Sequence, residues 1–195
     1  MQVRLGRKRR CLRWAGLVLL LFCGLLWLAD VLDPLPLPKD DMARVVLAHD
    51  GTPLWRFADH NGVWRYPIRI DQVSPYYLEA LLGYEDRWFY QHPGINPLSI
   101  VRAAWQNLSD GRVVSGGSTL SMQVARLLDP HPRTLRGKLR QVWRTAQLEW
   151  HLSKDEILAL YLNRAPFGGT LEGVAAASWA YLGKSPKNLS RAEAA

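Results

Sequence analysis

The chain opens with an uninterrupted apolar run. Residues 14–29 (WAGLVLLLFCGLLWLA) carry no charge, and residues 12–32 together reach the roughly 20 residues that a membrane-spanning helix needs. Arginine and lysine crowd the segment in front of this run (RLGRKRRCLR), and such clusters stay on the cytoplasmic side of a membrane. We therefore predict a cytoplasmic basic tail over residues 1–11 and a transmembrane anchor over residues 12–32. A cleaved signal peptide is the alternative, but no clear small-residue cleavage site follows the run.

Short strand patterns follow the anchor. The proline-spaced stretch DPLPLPKDD predicts an extended stalk. ARVVLAHDGTPLWRF predicts a β-hairpin around Asp50 and Gly51, and GVWRYPIRI is typical of a further strand. Residues 33–73 are therefore predicted to form a stalk with a small β region.

The pattern becomes helical from Ser74. Ser74 and Pro75 form a typical helix start, and the apolar spacing predicts a helix that ends near Glu85. Its inward residues are predicted to be Tyr77, Leu78, Ala80, Leu81 and Tyr84.

Five further helices are predicted after this first one. The first begins at Asn96, and the next two cover residues 118–128 and 134–151. A fourth follows a capping box at Ser153–Glu156, and a fifth surrounds residues 174–182. A last helix has barely begun after Ser190, so we expect the sequence to be a fragment or a truncated product. The sequence predicts a mainly α domain over residues 74–195.

Composition narrows the class of partner. Lys and Arg total 25 against 17 Asp and Glu, which favours an anionic partner such as phosphate, nucleic acid or a membrane surface. Cys11 and Cys23 both lie in or beside the apolar run, which excludes a disulfide framework and a cysteine-rich metal site.

Two stretches carry candidate chemistry. In YEDRWFYQHPG, Glu85 falls where a helix meets an irregular segment, and such a carboxylate can line a cleft as a general base; a solvent-facing acid is the alternative. In SGGSTLSMQVAR, the hydroxyl and N–H groups of Ser118 and Thr119 suit an anion at a helix start. Gln123 and Arg126 share roughly the same side, and an ordinary capped loop is the alternative there.

A third stretch, RTLRGKLRQVWRTAQLE, is basic. It fits either a solvated helix face or a cationic patch that faces an anionic membrane.

Together these stretches resemble the peptidoglycan glycosyltransferase domain of glycosyltransferase family 51, the polymerase module of class A penicillin-binding proteins. The resemblance extends from Ser74 to the last residue, with KDEILALYLN and AAASWAYLGK matching the fourth and fifth motifs. The first motif, EDxxFxxHxG, is met by Glu85, Asp86, Phe89, His92 and Gly94. The second, GGSTLTQQ with a following basic residue, is met by Gly116, Gly117, Ser118, Thr119, Leu120, Gln123 and Arg126.

The resemblance implies a mainly α, lysozyme-like fold with a small β region on one N-terminal transmembrane helix. It implies polymerisation of lipid II into glycan strands, with inversion at the anomeric carbon and release of a polyprenyl pyrophosphate. Glu85 would be the general base, and Asp86, Phe89 and His92 would shape the acceptor side. Substrate binding would fall to Gly116, Gly117, Ser118, Thr119, Gln123, Arg126, Lys138, Arg136 and Arg140.

The third motif departs from the family pattern Arg-Lys-x-x-Glu. It falls on Gly137, Lys138, Leu139, Arg140 and Gln141, so the lysine is kept while the arginine and the second carboxylate are lost. Arg136 or Arg140 would replace the lost charge. Because a pyrophosphate leaves as an anion, it needs positive charge more than a proton, and Gln141 is expected to act electrostatically or by position.

Two other functions stay open: a lysozyme-like glycan-cleaving enzyme, and an inactive or truncated scaffold member. The expected partners are lipid II, the growing glycan and the membrane, with other cell-wall synthesis proteins open and nucleic acid not expected. No metal ligands are predicted, although Mg²⁺ or Mn²⁺ at the pyrophosphate stays open. The expected location is the bacterial inner membrane, with the N-terminus cytoplasmic and the catalytic domain periplasmic. The chain lacks Ser-x-x-Lys and Lys-Thr-Gly, the motifs of an acylating transpeptidase site.

Overall fold

The computed structural model describes residues 2–38, 43–50, 53–112 and 117–195. The chain divides into two compact units, residues 1–36 and residues 37–195. The first unit is one helix, α1 (Gln2–Leu32). Its segment Trp14–Leu32 has a mean hydropathy of 2.4 and is long and apolar enough to cross a membrane. This apolar helix coincides with the predicted anchor.

The second unit begins with the predicted hairpin. Strands β1 (Val45–Leu47) and β2 (Pro53–Arg56) pair antiparallel, which confirms the hairpin, although Gly51 and Thr52 in its turn lie outside the described residues. The further predicted strand exists only as β3 (Trp64–Arg65).

Strand β3 pairs in parallel with a distant part of the chain. The sheet order is β3-β5-β4, formed with β4 (Pro166–Gly168) and β5 (Leu171–Glu172). Arg65 of β3 lies 2.5 Å from the carboxylate of Glu172 across this pairing. The sheet therefore ties the segment after the hairpin to the helical part of the same unit.

The helical part contains seven α-helices among the described residues. They are α2 (Pro75–Glu85), α3 (Pro97–Ser109), α4 (Leu120–Leu128), α5 (Leu135–His151), α6 (Lys154–Arg164), α7 (Val174–Ala177) and α8 (Arg191–Ala194). Two predicted caps are present: the Asn96 side chain accepts from the Ser99 N–H at 3.1 Å, and Ser153 and Glu156 form the capping box. Ser74 does lie at the start of α2, before Pro75, but its hydroxyl donates to the carbonyl oxygen of Leu189 and does not cap the helix. The mainly α prediction is confirmed.

Helix α4 lies at the centre of the core and packs against α5 and α6. Leu120, Met122 and Val124 of α4 are almost completely buried. Leu148 of α5 and Leu158 of α6 are equally buried. Because α4 is short and packed on several sides, its polar side chains are held in fixed positions as well as its apolar ones.

Three predicted details are wrong. Tyr84, predicted to face inward, is 90% exposed, and α2 buries no residue completely because its inner face borders a cleft. Helix α4 is capped by Thr119 and begins at Leu120, later than the predicted start at Ser118. The predicted alanine-rich helix over residues 174–182 is α-helical only over Val174–Ala177, and Ser178–Leu182 forms a π-helical turn.

Candidate active site

A cleft of about 700 Å³ lies between α2, α4, α5, α6 and β4. Its walls combine aromatic, carboxylate, amide and cationic side chains. They include Tyr77, Tyr84, Glu85, Ser118, Gln123, Arg126, Arg133, Gln141, Tyr161 and Phe167. The cleft therefore gathers residues from all three candidate stretches of the sequence.

Glu85 is the last residue of α2 and lines this cleft half-buried. The amide Nε2 of Gln123 donates a hydrogen bond of 2.6 Å to Glu85 Oε2. Since an amide N–H can only donate, this bond stabilises the carboxylate as an acceptor. Gln123 thus connects the central helix α4 to the predicted base.

Two tyrosines flank Glu85, and the predicted site omitted both. Burial raises the pKa of Tyr161 to about 12, and the negative charge of Glu85 adds to this shift. Burial likewise raises the pKa of Tyr77, with smaller contributions from Tyr161 and Glu85. Both phenols therefore stay protonated and neutral beside the carboxylate. Tyr161 lies within the quoted KDEILALYLN motif, whose helical periodicity could have revealed it.

Asp86 has a different role from its neighbour. Its carboxylate lies 2.9 and 3.0 Å from Nε2 of His92 and accepts from the Leu120 N–H at 3.0 Å. Asp86 is 7% exposed. A carboxylate at a helix N-terminus is stabilised by the helix dipole, so Asp86 fixes the start of α4 to the end of α2.

Thr119 and Phe89 complete this support. Thr119 Oγ1 accepts from the Met122 N–H at 3.2 Å and donates to the carbonyl oxygen of Gly94. Phe89 is 1% exposed and lies in the core, with the Lys154 ammonium 4.6 Å from its ring centroid. Of the first motif, Glu85 alone borders the cleft, and Asp86, Phe89, His92 and Gly94 lie behind it.

The predicted anion site at the start of α4 is therefore occupied by the chain itself. Asp86 accepts a hydrogen bond from the Leu120 N–H, and Thr119 accepts one from the Met122 N–H. Ser118 does border the cleft, whereas Gly117 is described but lies outside its walls. Gly116 lies outside the described residues.

The cationic part of the cleft is formed by Arg126, Arg133 and the adjacent Lys138. Lys138 Nζ lies 3.2 Å from Ser118 Oγ and 3.1 Å from Gln141 Oε1. Burial lowers the pKa of Lys138, and the positive charge of Arg126 adds to this. Two cations held this close favour an anionic ligand between them. Arg133 belongs to the basic stretch of the sequence, and the structure places it among the cleft walls.

Gln141 occupies the position of the family's second carboxylate and is 4% exposed. Its Nε2 donates to the carbonyl oxygen of Met122 at 2.7 Å, and its Oε1 accepts from Lys138. A neutral amide therefore orients Lys138 without neutralising its charge.

Two of the remaining basic residues serve the fold. Arg140 and Arg144 lie 2.6 and 2.7 Å from Asp129 Oδ2, at the end of α4. Arg136 is exposed and lies outside the cleft walls. Lys138 also lies outside the walls but contacts the wall residues Ser118 and Gln141. Arg140 instead contacts Asp129, which is not among those walls.

We expect Asp129→Asn to lower the free energy of unfolding by about 2 kcal/mol at pH 7, because it weakens charged hydrogen bonds to Arg140 and the buried Arg144. Burial alone would raise the pKa of Asp129, but the two arginines outweigh burial and hold that pKa below its usual value. The stabilisation is therefore present above the unfolded-state pKa of about 4 and is lost as the pH falls through the lower folded-state pKa.

Urea denaturation of the detergent-solubilised chain between pH 7 and pH 3 measures the difference in free energy of unfolding between wild type and Asp129→Asn. This difference should become smaller below about pH 4. Asp71→Asn is the control, because the Arg69–Asp71 pair is exposed and contributes little. A gap between wild type and Asp129→Asn that stayed constant with pH would contradict the role of the ionised carboxylate.

The described residues contain no group of three or more His, Cys, Asp or Glu side chains that could hold a metal ion. Glu85 is the one side-chain carboxylate among the cleft walls that the structure describes. Such a site fits a resident cation poorly, because divalent cations take several oxygen ligands.

Comparison with known proteins gives a consistent result. The family model described as transglycosylase matches residues 50–195. The chain is 68% identical over 193 residues to penicillin-binding protein 1C of Escherichia coli, covering 98% of this chain and 25% of that protein. It is 36% identical over 189 residues to penicillin-binding protein 1A of Aquifex aeolicus, covering 92% of this chain and 26% of that protein.

The chain spans about a quarter of the length of these two curated relatives. The stretch LNRAPFGGTLEGVAAASWAYLGK also resembles the 1C subgroup, in agreement with the 68% identity. The matched residues contain the whole cleft, including Glu85, Gln123 and Arg126. The chain belongs to the transglycosylase family.

Proposed function

We propose that the chain is a peptidoglycan glycosyltransferase that polymerises lipid II into glycan strands. One observation carries this proposal: the Glu85 carboxylate, held by Gln123, shares a single cleft with Arg126 and Arg133. A base and an anion-binding surface in one cleft match a reaction in which an alcohol attacks and a pyrophosphate leaves.

The reaction step assigns each group a task. A sugar hydroxyl of the acceptor attacks the anomeric carbon of the donor chain and loses its proton to Glu85. The new carbon–oxygen bond forms as the bond to the polyprenyl pyrophosphate breaks, and inversion follows from attack opposite the leaving group. The pyrophosphate departs with the bonding electron pair, and Arg126, Arg133 and Lys138 stabilise its charge.

Gln123 positions Glu85 for this step, and Tyr77 and Tyr161 flank it. Gln123 donates to Oε2 and so holds one carboxylate oxygen of Glu85 in place, and we propose that the other oxygen accepts the proton of the acceptor hydroxyl. Tyr77 and Tyr161 stay neutral and can donate hydrogen bonds to sugar oxygens. The resemblance assigns the acceptor side to Asp86, Phe89 and His92, and we propose that these residues act by positioning Glu85.

Hydrolysis of glycan fits the cleft less well. Glycosidases use two carboxyl groups, one of which protonates the leaving sugar oxygen. The described cleft walls hold one side-chain carboxylate, Glu85, together with cations. An anionic leaving group needs those cations, whereas a sugar leaving group needs an acid.

The test is polymerisation of purified, labelled lipid II by the full chain in detergent. Glycan strands and released polyprenyl pyrophosphate support the proposal, and Glu79→Gln, an exposed acid on the same helix α2, should polymerise at the wild-type rate. Cleavage of preformed glycan without synthesis would support the lysozyme-like alternative. A folded chain without either activity would support the scaffold alternative.

Gln141→Glu tests whether the missing carboxylate is a defect. We expect this variant to lower the free energy of unfolding by about 1–3 kcal/mol, because it removes the donor to the buried Met122 carbonyl. We also expect polymerisation no faster than wild type, because a carboxylate would pair with Lys138 and compete with the pyrophosphate. Urea denaturation and initial polymerisation rates measure both effects. Faster polymerisation at unchanged stability would contradict the positional role of Gln141.

The membrane context follows from the substrate and from α1. We propose a single-pass protein of the bacterial inner membrane, with the N-terminus cytoplasmic and the catalytic unit periplasmic. Lipid II presents its sugars on that side, and the basic residues of α1 precede its apolar segment Trp14–Leu32. Any Mg²⁺ or Mn²⁺ would enter on the pyrophosphate oxygens, and polymerisation measured with and without a chelator tests this. Contacts with other cell-wall synthesis proteins are part of the same proposal.

A further inference from the structure

Two adjoining cavities lie beside the hairpin, outside the catalytic cleft. They measure about 410 and 440 Å³, and both are bordered by Arg56, Tyr66 and Trp179. The Arg56 guanidinium lies 3.8 Å from the centroid of the Trp179 ring. Nothing in the proposed polymerisation uses these residues, so the cavities need a separate explanation.

Two polar groups in these walls lack hydrogen-bond partners. Tyr66 is 6% exposed, and its hydroxyl has no hydrogen-bond partner in the described part of the chain. The buried Nη2 of Arg56 is likewise without a hydrogen-bond partner there. Burial raises the pKa of Tyr66, so its hydroxyl is a donor at neutral pH. Buried polar groups are rarely left unpaired, and an acceptor ligand would satisfy both.

The charge of the walls selects an anion. The described residues that border the two cavities include two cations, Arg56 and Lys187, and no carboxylate. An arginine fork and a tyrosine hydroxyl together suit a phosphate or a carboxylate group. Such a ligand would also gain from the low dielectric of an aromatic pocket.

The rim of the cavities selects an amphipathic ligand. Leu47, Leu54 and Trp55 border them and are 55%, 62% and 63% exposed. Exposed tryptophan and leucine near an anion site are typical of the membrane interface. In the sequence, residues 33–44 alone separate α1 from β1, so the hairpin is the first element that the structure describes after the apolar helix.

We propose that the cavities form a binding site for the phosphate headgroup of an anionic phospholipid. Arg56 and Tyr66 donate to the phosphate oxygens, and Trp55 and Leu54 contact the glycerol and upper acyl region. The site would bind the β-hairpin to an anionic bilayer, independently of catalysis in the cleft.

The test is a titration of the full chain in neutral detergent with phosphatidylglycerol, followed by native mass spectrometry. We expect one tight lipid whose affinity falls about tenfold or more in Arg56→Gln and about threefold or more in Tyr66→Phe. Tyr66→Phe removes only an unpaired hydroxyl, so this variant should fold as well as wild type. Arg69→Gln, an exposed arginine paired with Asp71, is the matched control and should bind like wild type.

Further arms separate the alternatives. Lys138→Gln should bind the lipid as tightly as wild type, because Lys138 lies beside the catalytic cleft and not beside these cavities. If this variant lost the lipid, the phosphate would be bound in the catalytic cleft instead. Phosphatidylcholine should bind more weakly than phosphatidylglycerol. Unchanged phosphatidylglycerol affinity in both Arg56→Gln and Tyr66→Phe would overturn the proposal. Displacement of the lipid by equimolar inorganic phosphate, or by equimolar acetyl-leucyl-leucine, would overturn it in favour of a free anion or a peptide carboxylate.

Discussion

Glu85→Gln should lower kcat/KM for polymerisation of lipid II by about 10³-fold, the scale at which a positioned general base acts. The substitution keeps the size of the side chain and removes its ability to take a proton. The amide oxygen that replaces the carboxylate can still accept the hydrogen bond that Gln123 Nε2 donates at 2.6 Å in the wild type. The end of α2 should therefore keep its shape while the chemical step fails.

Two measurements separate loss of the base from loss of structure. Urea denaturation of Glu85→Gln should match wild type within about 0.5 kcal/mol, because the half-exposed site buries no new unpaired group. Glu79→Gln should retain full polymerisation. If Glu85→Gln polymerised within threefold of wild type, another group would have to accept the proton, and the role of Glu85 would be limited to binding.

The sequence predicted the helices well because their signals are local. Asn96, Thr134 and Ser153 each cap the helix that follows, as the residue types indicate. The β3–β5 pairing could not be predicted in the same way. Its partners are separated by about a hundred residues, and two-residue strands carry no periodicity of their own.

The first motif shows what a resemblance can and cannot assign. It brought Glu85, Asp86, Phe89 and His92 to attention together, but residue types alone could not separate the base from its supports. Glu85 and Asp86 are adjacent acids, yet one borders the cleft and the other is bonded to His92 and to the start of α4. That difference depends on where α2 ends, and helix ends are the least predictable feature of a sequence.

The basic stretch shows the same limit for charge. Lys138, Arg140 and Arg144 look alike in sequence, but Asp129 takes both arginines while Gln141 and Ser118 hold the lysine. Asp129 follows the last residue of α4, whereas Ser118 lies just before its first turn and Gln141 lies in α5. Only the packing of α4 against α5 decides which charge reaches the cleft.

Gly137→Ala should lower the free energy of unfolding by about 3 kcal/mol and slow polymerisation at least about tenfold. A Cβ atom at Gly137 would overlap the carbonyl oxygen of Pro132 and lie 3.0 Å from Cδ2 of His131. Backbone must therefore move, either before α5 or in its first turn. That turn carries Lys138, whose distance from the reacting phosphate decides its effect.

This geometry also explains the departure from the family's third motif. An arginine at residue 137 needs the same Cβ that Pro132 excludes, so Gly137→Arg should not restore the family's cation and should be at least as unstable as Gly137→Ala. Gly83→Ala is the matched control: Gly83 lies in α2 with no atom within 4 Å of an added Cβ, and alanine should stabilise that helix by about 0.5–1 kcal/mol. Wild-type stability and activity in Gly137→Ala would contradict this explanation, because the backbone at Pro132 would then move away from the added Cβ with no loss in the free energy of unfolding. The absence of arginine here would then need a cause in the substrate and not in the packing.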